Sequence, residues 1–217
     1  LCAGRSGEER RGRDSVVKIG VLVSGGGTNL QALLDAQKQG EIPDGEISLV
    51  IASRKKAYAL ERARMAGIPA LALPRRDYEK TADYDAALLA ALQEAGVELV
   101  VLAGFLCVLG EKMLRGYEGR IVNVHPSLIP AFCGDGFYGL HVHEAALERG
   151  VKVTGATVHL VNEVTDGGPI LLQKAVEVLE SDTPESLQKR VMEQAEWVLL
   201  PQAVSMLCQK IEKEKHQ

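Results

Sequence analysis

The junction at residues 16–29 narrows the possible folds more than any other stretch of the chain. An almost wholly apolar run, VVKIGVLV at 16–23, passes into SGGGTN at 24–29, after which Leu30, Leu33 and Leu34 keep helical spacing as far as Gln39. A strand that is apolar on both sides must be covered on both faces, as strands of parallel sheets are. Glycines between strand and helix let the backbone turn tightly and approach a ligand, and the free N–H groups at the helix start attract an anion. Thr28 and Asn29 add side-chain donors. This is not a Walker loop, because no Gly-Lys-Ser/Thr follows, nor G-x-G-x-x-G, because Leu30 stands where the last glycine belongs. A tight strand-to-helix turn with no ligand is the plain alternative.

The same alternation recurs downstream. ISLVIA at 47–52 predicts a second strand, 56–66 a helix, 69–73 a short third strand, and the alanine- and leucine-rich 82–95 a helix stopped by Gly96. VELVVLA at 97–103 predicts a fourth strand and 121–124 a fifth. The expected class is therefore α/β, a single-domain, Rossmann-like open and mainly parallel sheet with helices on both faces. Farther on, 139–149 predicts a helix closed by Gly150, and VTGATVHLV at 153–161 alternates as a strand with one solvated face does. Residues 170–178 predict another strand. Thr183 then opens a Thr-x-x-Ser capping box with Pro184 at the first helical position and Glu185 in the first turn. That helix is expected to run to about Gln209 and to bend at Pro201. The domain is expected over 16–213, preceded by a charged, glycine-rich lead-in at 1–15 that reads as disordered. A chain of 217 residues buries roughly 70% of its unfolded surface and needs no staple.

Composition excludes several classes. A formal net charge of −4 and 4% aromatic residues argue against nucleic-acid partners, which need a basic surface or stacking platforms. No apolar run reaches the length of a membrane span, about 18 residues, and the N-terminus lacks the apolar segment of a signal peptide. Cys2, Cys107, Cys133 and Cys208 show no paired spacing, so neither a disulfide nor a zinc framework is expected and a reducing, cytoplasmic setting is. His141 and His143 lie at a helix start without a third ligand at a recognisable spacing, and no metal is expected there.

Chemistry concentrates in two later segments. In NVHPSLIP at 123–130, strand alternation puts Asn123 and His125 on one face at the carboxyl end of the fifth strand, where open α/β sheets bind ligands. An amide donor beside an imidazole suits acyl transfer, whose tetrahedral intermediate carries negative charge on oxygen. A buried, satisfied core histidine and asparagine is the alternative. In NEVTDGGP at 162–169, a carboxylate aimed at His125 would favour its charged form and fix its orientation, but spacing alone does not bring Asp166 there. His159, alternating with Thr157, either faces the site or bonds to backbone.

Taken together, SGGGTNLQALLDA, VVLAGFL, NVHPSLIPAF, GLHVHEAALERGVKVTGATVHLV and DGGPILLQ resemble the phosphoribosylglycinamide formyltransferase family, the folate-dependent transferases of purine synthesis, over residues 18–209. The resemblance implies a formyltransferase fold. It also implies transfer from 10-formyltetrahydrofolate, as co-substrate and without metal, to the amine of glycinamide ribonucleotide. It implies Asn123, His125 and Asp166 as the catalytic trio. Gly27, Thr28 and Asn29 are implied for the substrate phosphate, and Glu196 for the glycinamide substrate. Leu106, Cys107, Val108 and Leu109, with Asn123 and with Asn162, Glu163, Val164, Thr165 and Asp166, are implied for the folate. The partners implied are these two small molecules alone, with the chain a monomer or weak homodimer.

Three departures from the family pattern stand out. Residues 132–138 are longer than the usual link, Thr81 beside Lys80 replaces a frequent arginine, and Glu196 is followed by Trp197 where histidine is common. Deformylases of the same fold are expected to carry an N-terminal regulatory domain and usually a second histidine in place of Pro126. Methionyl-tRNA formyltransferases are expected to carry a basic C-terminal domain, and neither is expected to have SGGGTN. A silent phosphate-binding module would lack part of the Asn123, His125, Asp166 set.

Overall fold

The computed structural model describes residues 16–217, so the expected lead-in at 1–15 lies outside the described residues. Seven strands, β1 (Val17–Val23), β2 (Gly45–Ala52), β3 (Ala70–Ala72), β4 (Leu99–Leu102), β5 (Ile121–His125), β6 (Val153–Leu160) and β7 (Ile170–Glu177), form one open sheet in the order β3-β2-β1-β4-β5-β6-β7. The first five run parallel, while β6 and β7 pair antiparallel. The chain leaves β1 toward β2 and β3, then returns to add β4 on its other side. The crevice between β1 and β4 is thus the topological switch point, where such sheets bind ligands beyond their carboxyl ends.

Helices cover both faces, which is why the inner strands are apolar throughout. Val17, Ile19, Val21 and Val23 of β1 pack with α1 (Thr28–Gln39), α2 (Ala59–Met65), α5 (Leu140–Arg149), α6 (Pro184–Val191) and α7 (Trp197–Lys215) in one apolar layer. Leu22 of β1, with Leu49 and Ile51, packs on the other face against α3 (Thr81–Glu94) and α4 (Glu111–Gly116). The short α4, between β4 and β5, is an element that the sequence pattern does not announce. Among the described residues, no helix is long and apolar enough to cross a membrane.

Two expectations are corrected. β6 does not have a solvated face, for residues 154–159 are all buried. Its polar side is roofed by the loop after β5, where the Thr157 hydroxyl donates to the Ser127 carbonyl at 2.7 Å and accepts from the Ile129 N–H at 3.1 Å. Hydroxyls are good partners for loop backbone, so alternation here marks a face covered by polypeptide rather than by water. The C-terminal helix, too, differs from expectation, and Pro201 lies inside α7. Its irregularity is a π-helical turn, Met192–Glu196, one turn earlier, and α7 continues past Gln209 to Lys215. The capping box at Thr183 and Ser186 forms as expected.

Candidate active site

The glycine loop begins at Ser24, whose side chain is buried at the switch point. Its Oγ shares a hydrogen bond with Ser53 Oγ at 2.7 Å and accepts from the Leu106 N–H at 2.9 Å, while its own N–H donates to the Gly104 carbonyl at 3.1 Å. One hydroxyl therefore ties the ends of β1 and β2 to the segment that follows β4. Gly27 then turns into α1 in the left-handed region, φ 74°, and a Cβ there would stand 2.7 Å from the Ala59 Cβ. A larger residue meets both a conformational and a steric obstacle.

At the start of α1, Asn29 is 7% exposed and donates from Nδ2 to Glu196 Oε2 at 2.8 Å, while its Oδ1 has no partner among the described residues. The π-helical turn brings Glu196 to this position and sets Met192 Sδ 3.8 Å from Thr28 Oγ1. Burial pushes the Glu196 carboxyl up to about 7, against the opposing effect of the Asn29 hydrogen bond. Gly27, Thr28, Asn29 and Glu196, which lie far apart in sequence, are thus one cluster.

The second cluster forms around the end of β5. Antiparallel register places His159 of β6 directly opposite Asn123 and Thr157 opposite His125. Asn123 Nδ2 lies 3.2 Å from His159 Nε2 and 3.5 Å from Asp166 Oδ1. His159 Nδ1 donates to the Leu160 carbonyl at 2.9 Å, and its Nε2 also lies 3.5 Å from Asp166 Oδ1. His125, 4% exposed, donates from Nε2 to the Phe132 carbonyl at 2.8 Å and turns Nδ1 to Asp166 Oδ2 at 3.4 Å.

Asp166 reaches this position from a tight turn. Its own φ is 54°, which Asp adopts more readily than most residues, and the Gly167 N–H closes the turn on the Val164 carbonyl at 2.9 Å. Gly168 passes so close to the Leu160 carbonyl that a Cβ would collide with it. Burial opposes ionisation of Asp166. Hydrogen bonds from His159 and the Gly134 N–H, together with the charge of His125, outweigh it and hold the carboxyl below the usual carboxylate range.

Beside this cluster lies a cavity of about 390 Å³, a size typical of small-molecule sites. Leu102, Phe105, Leu106, Val108 and Leu109 make an apolar wall, and the turn from Val161 to Asp166 makes a mostly polar edge. Leu106, Cys107, Val108, Leu109, Asn123, Asn162, Glu163, Val164, Thr165 and Asp166 all line it, whereas the glycine loop and Glu196 do not. The segment at 132–138 closes one side: the Gly134 N–H donates to Asp166 at 2.9 Å and Thr165 Oγ1 to Asp135 at 3.1 Å.

Phe105, Phe137, Tyr138 and Val161 also line the cavity, although sequence reasoning assigns them no site role. The importance of Ser24 could have been suspected from its place at the head of the glycine run. Thr81 accepts from Arg75 Nη2 at 3.1 Å, so a guanidinium stands beside it after all, delivered from the single turn Arg75–Asp77. His141 pairs with Glu144 at 2.9 Å, whereas His143 is wholly buried with no partner for either ring nitrogen among the described residues. Burial, and then the charge of His125, push His143 down to about 4. Among the described residues, no group of three His, Cys, Asp or Glu side chains could hold a metal ion. Trp197 is partly buried and its Nε1 has no partner among the described residues.

Comparison with known proteins identifies relatives along nearly the whole chain. Residues 17–204 match the family described as formyl transferase. The chain is 39% identical over 207 residues to the chloroplastic phosphoribosylglycinamide formyltransferase of Arabidopsis thaliana, covering 95% of this chain and 68% of that one. It is 41% identical to the trifunctional purine biosynthetic protein adenosine-3 of Drosophila melanogaster over 88% of its own length, but spans 14% of that much longer protein. Among solved structures, glycinamide ribonucleotide transformylase 1 from Symbiobacterium toebii superposes with a TM-score of 0.86 at 45% identity, covering 95% of this chain and 94% of that one.

Proposed function

The chain belongs to the formyl transferase family, and on that premise we propose that it transfers the formyl group of 10-formyltetrahydrofolate to the amine of 5'-phosphoribosylglycinamide, giving formylglycinamide ribonucleotide in de novo purine synthesis. The observation that carries this reading is the cluster of Asn123, His125 and Asp166 lining an apolar-walled cavity, in a sheet that also carries, after β1, a loop suited to an anion. The cavity suits a flat, partly polar ring: apolar side chains lie on one side and the carboxamide and hydroxyl groups of Asn162 and Thr165 on the other. The main-chain donors at the start of α1 suit a phosphate.

In the proposed reaction the substrate amine attacks the formyl carbon directly, and negative charge collects on the formyl oxygen. Asn123 Nδ2 and the charged form of His125 donate to that oxygen, while Asp166 faces His125 Nδ1 and holds the ring in place. The carboxylate also orders the water that carries the proton from the attacking amine to the departing folate nitrogen. His125 Nε2 is committed to the Phe132 carbonyl, so the loop at 132–138 must release it as the ligands seat. Catalytic hydrogen bonds commonly tighten only in the reacting complex. No covalent enzyme intermediate is involved. Action as a monomer or weak homodimer is part of the same proposal. The free thiols of Cys107, Cys133 and Cys208 suit a reducing compartment such as the cytoplasm.

The test is an absorbance assay of folate deformylation with and without glycinamide ribonucleotide. Ribonucleotide-dependent deformylation is expected. Formate release without the acceptor would mean a hydrolase instead, and tight folate binding without turnover would mean a silent binding module.

A further inference from the structure

Two successive carbonyls of the glycine loop are tied back to α2. The Gly25 carbonyl accepts from the Ala59 N–H at 3.2 Å, at the first turn of that helix, and the Gly26 carbonyl accepts from Arg62 Nε at 2.8 Å. In a trans peptide the C=O and the following N–H point in opposite directions. The N–H groups of Gly26 and Gly27 are therefore turned away from α2. Arg62 is itself held fast. Its Nη1 donates to Gln31 Oε1 at 2.9 Å, and its guanidinium carbon lies 5.1 Å from the centre of the Tyr58 ring. A Cβ on Gly27 would stand 3.5 Å from Arg62 Cδ, so the side chain runs against the loop itself. Arg64 is paired with Glu61, whereas Arg62 makes no ion pair among the described residues.

We propose that Arg62 is a positioning residue for the phosphate of the substrate: it orients the Gly26–Gly27 peptide and supplies the fixed positive charge that makes the loop select a phosphate-bearing acceptor. The proposal rests on reading this loop as the phosphate subsite. Main-chain N–H groups can hold any acceptor, but a phosphate dianion gains most where a cation stands close by. Residues 24–29 contain no lysine or arginine, and Arg62 is the guanidinium that hydrogen-bonds to them. A charged donor on a peptide carbonyl also polarises that peptide and strengthens the N–H at its other end. The buried, unpartnered Oδ1 of Asn29 is a second sign that this end of α1 is built around a ligand, one that brings a donor such as a hydroxyl as well as an anion.

The experiment compares two acceptors, glycinamide ribonucleotide and its dephosphorylated riboside, in wild type, Arg62→Gln and Arg62→Lys. For Arg62→Gln, KM for the ribonucleotide should rise about 10- to 100-fold, as expected for a lost charge-assisted interaction. Its kcat should be retained, and kcat/KM for the riboside should not change. Arg62→Lys should recover part of the loss, and the dependence of KM on ionic strength should flatten in Arg62→Gln. An equal loss on both acceptors, or no loss on either, overturns the proposal, because packing does not distinguish a phosphate. Since the ratio between acceptors is read, Arg62→Lys carries the comparison even where Arg62→Gln folds poorly. If the wild type transfers to neither acceptor, the functional reading fails separately. Calorimetry with ribose 5-phosphate then decides the role of Arg62: binding at least tenfold weaker in Arg62→Gln supports it, and equal binding overturns it.

Discussion

The glycine loop and the Asn123–His125–Asp166 cluster both sit at carboxyl ends of parallel strands, yet the loop is six consecutive residues and the cluster joins side chains up to 43 positions apart. The loop is assembled from main-chain groups, and what it requires of its residues is conformation and room: a left-handed Gly27 pressed against Ala59, with carbonyls turned to α2. The cluster is assembled from side-chain atoms, and its geometry comes from an antiparallel register, a left-handed Asp166 and a roof of loop backbone. One end should therefore fail through binding when its backbone is disturbed, and the other through chemistry when a single donor or charge is changed.

The largest effects test the chemical end. Asn123→Ala and Asp166→Asn should each lower kcat about 100- to 1000-fold, the usual loss for an electrostatic donor at a developing oxyanion. KM for the ribonucleotide should stay close to wild type, and steady-state kinetics at varied ribonucleotide would show it. A loss carried mainly by KM would erase the distinction between the two ends. Next comes Gly27→Ala, which adds a Cβ 2.7 Å from Ala59 at φ 74°. It should raise KM for the ribonucleotide about tenfold or more while leaving kcat nearly intact, and should cost about 1–2 kcal/mol of stability from the left-handed conformation alone.

Smaller effects, opposite in their pH dependence, come from two buried groups, His143 near His125 and Glu196 within the first cluster. His143, pushed down to about 4 from 6.5, contributes stability that is complete above pH 6.5 and is lost as pH falls toward 4, because the unfolded chain takes up the proton first. Glu196, raised to about 7 from 4.5, is the reverse: its contribution is complete below pH 4.5 and is lost as pH rises through 7. Each is worth on the order of 1–3 kcal/mol. Denaturant unfolding across pH 4–8 should show His143→Leu flattening the acid limb and Glu196→Gln flattening the limb toward neutral pH. Parallel pH profiles for wild type and variant would remove these groups from the account.

The smallest expected effect is at the thiols. Cys133 hydrogen-bonds only to the Pro130 carbonyl among the described residues, and burial, reinforced by the Asp166 carboxylate, pushes its thiol up. Cys133→Ser should keep kcat within about threefold, as substitutions outside the reacting groups generally do. A collapse of activity would mean that the thiol takes part in transfer.

Much of the loop end is legible in the amino-acid sequence alone. The apolar run, the glycines and the helix spacing are local signals, and they locate β1, the turn and α1 to within two residues. At the other end, alternation puts Asn123 and His125 on one face, but the same reasoning misjudges β6, whose hydroxyls meet loop backbone where solvent is expected. The π-helical turn ahead of α7 carries no such local signal. A proline marks a missing donor, while the π-helical turn at Met192–Glu196 accompanies the packing of Glu196 against α1.

The sequence by itself determined the parallel α/β architecture, the ligand-accepting turn after β1 and the polar pair at the end of β5, because period, turn chemistry and capping act over a few residues. Only the tertiary structure decided that His159 stands opposite Asn123, that Asp166 closes on His125, that Glu196 and His143 are buried far from their ordinary ionisation, and that Arg62 braces the glycine loop. Strand register, burial and contacts between helices depend on distant parts of the chain meeting, and no local pattern encodes where they meet.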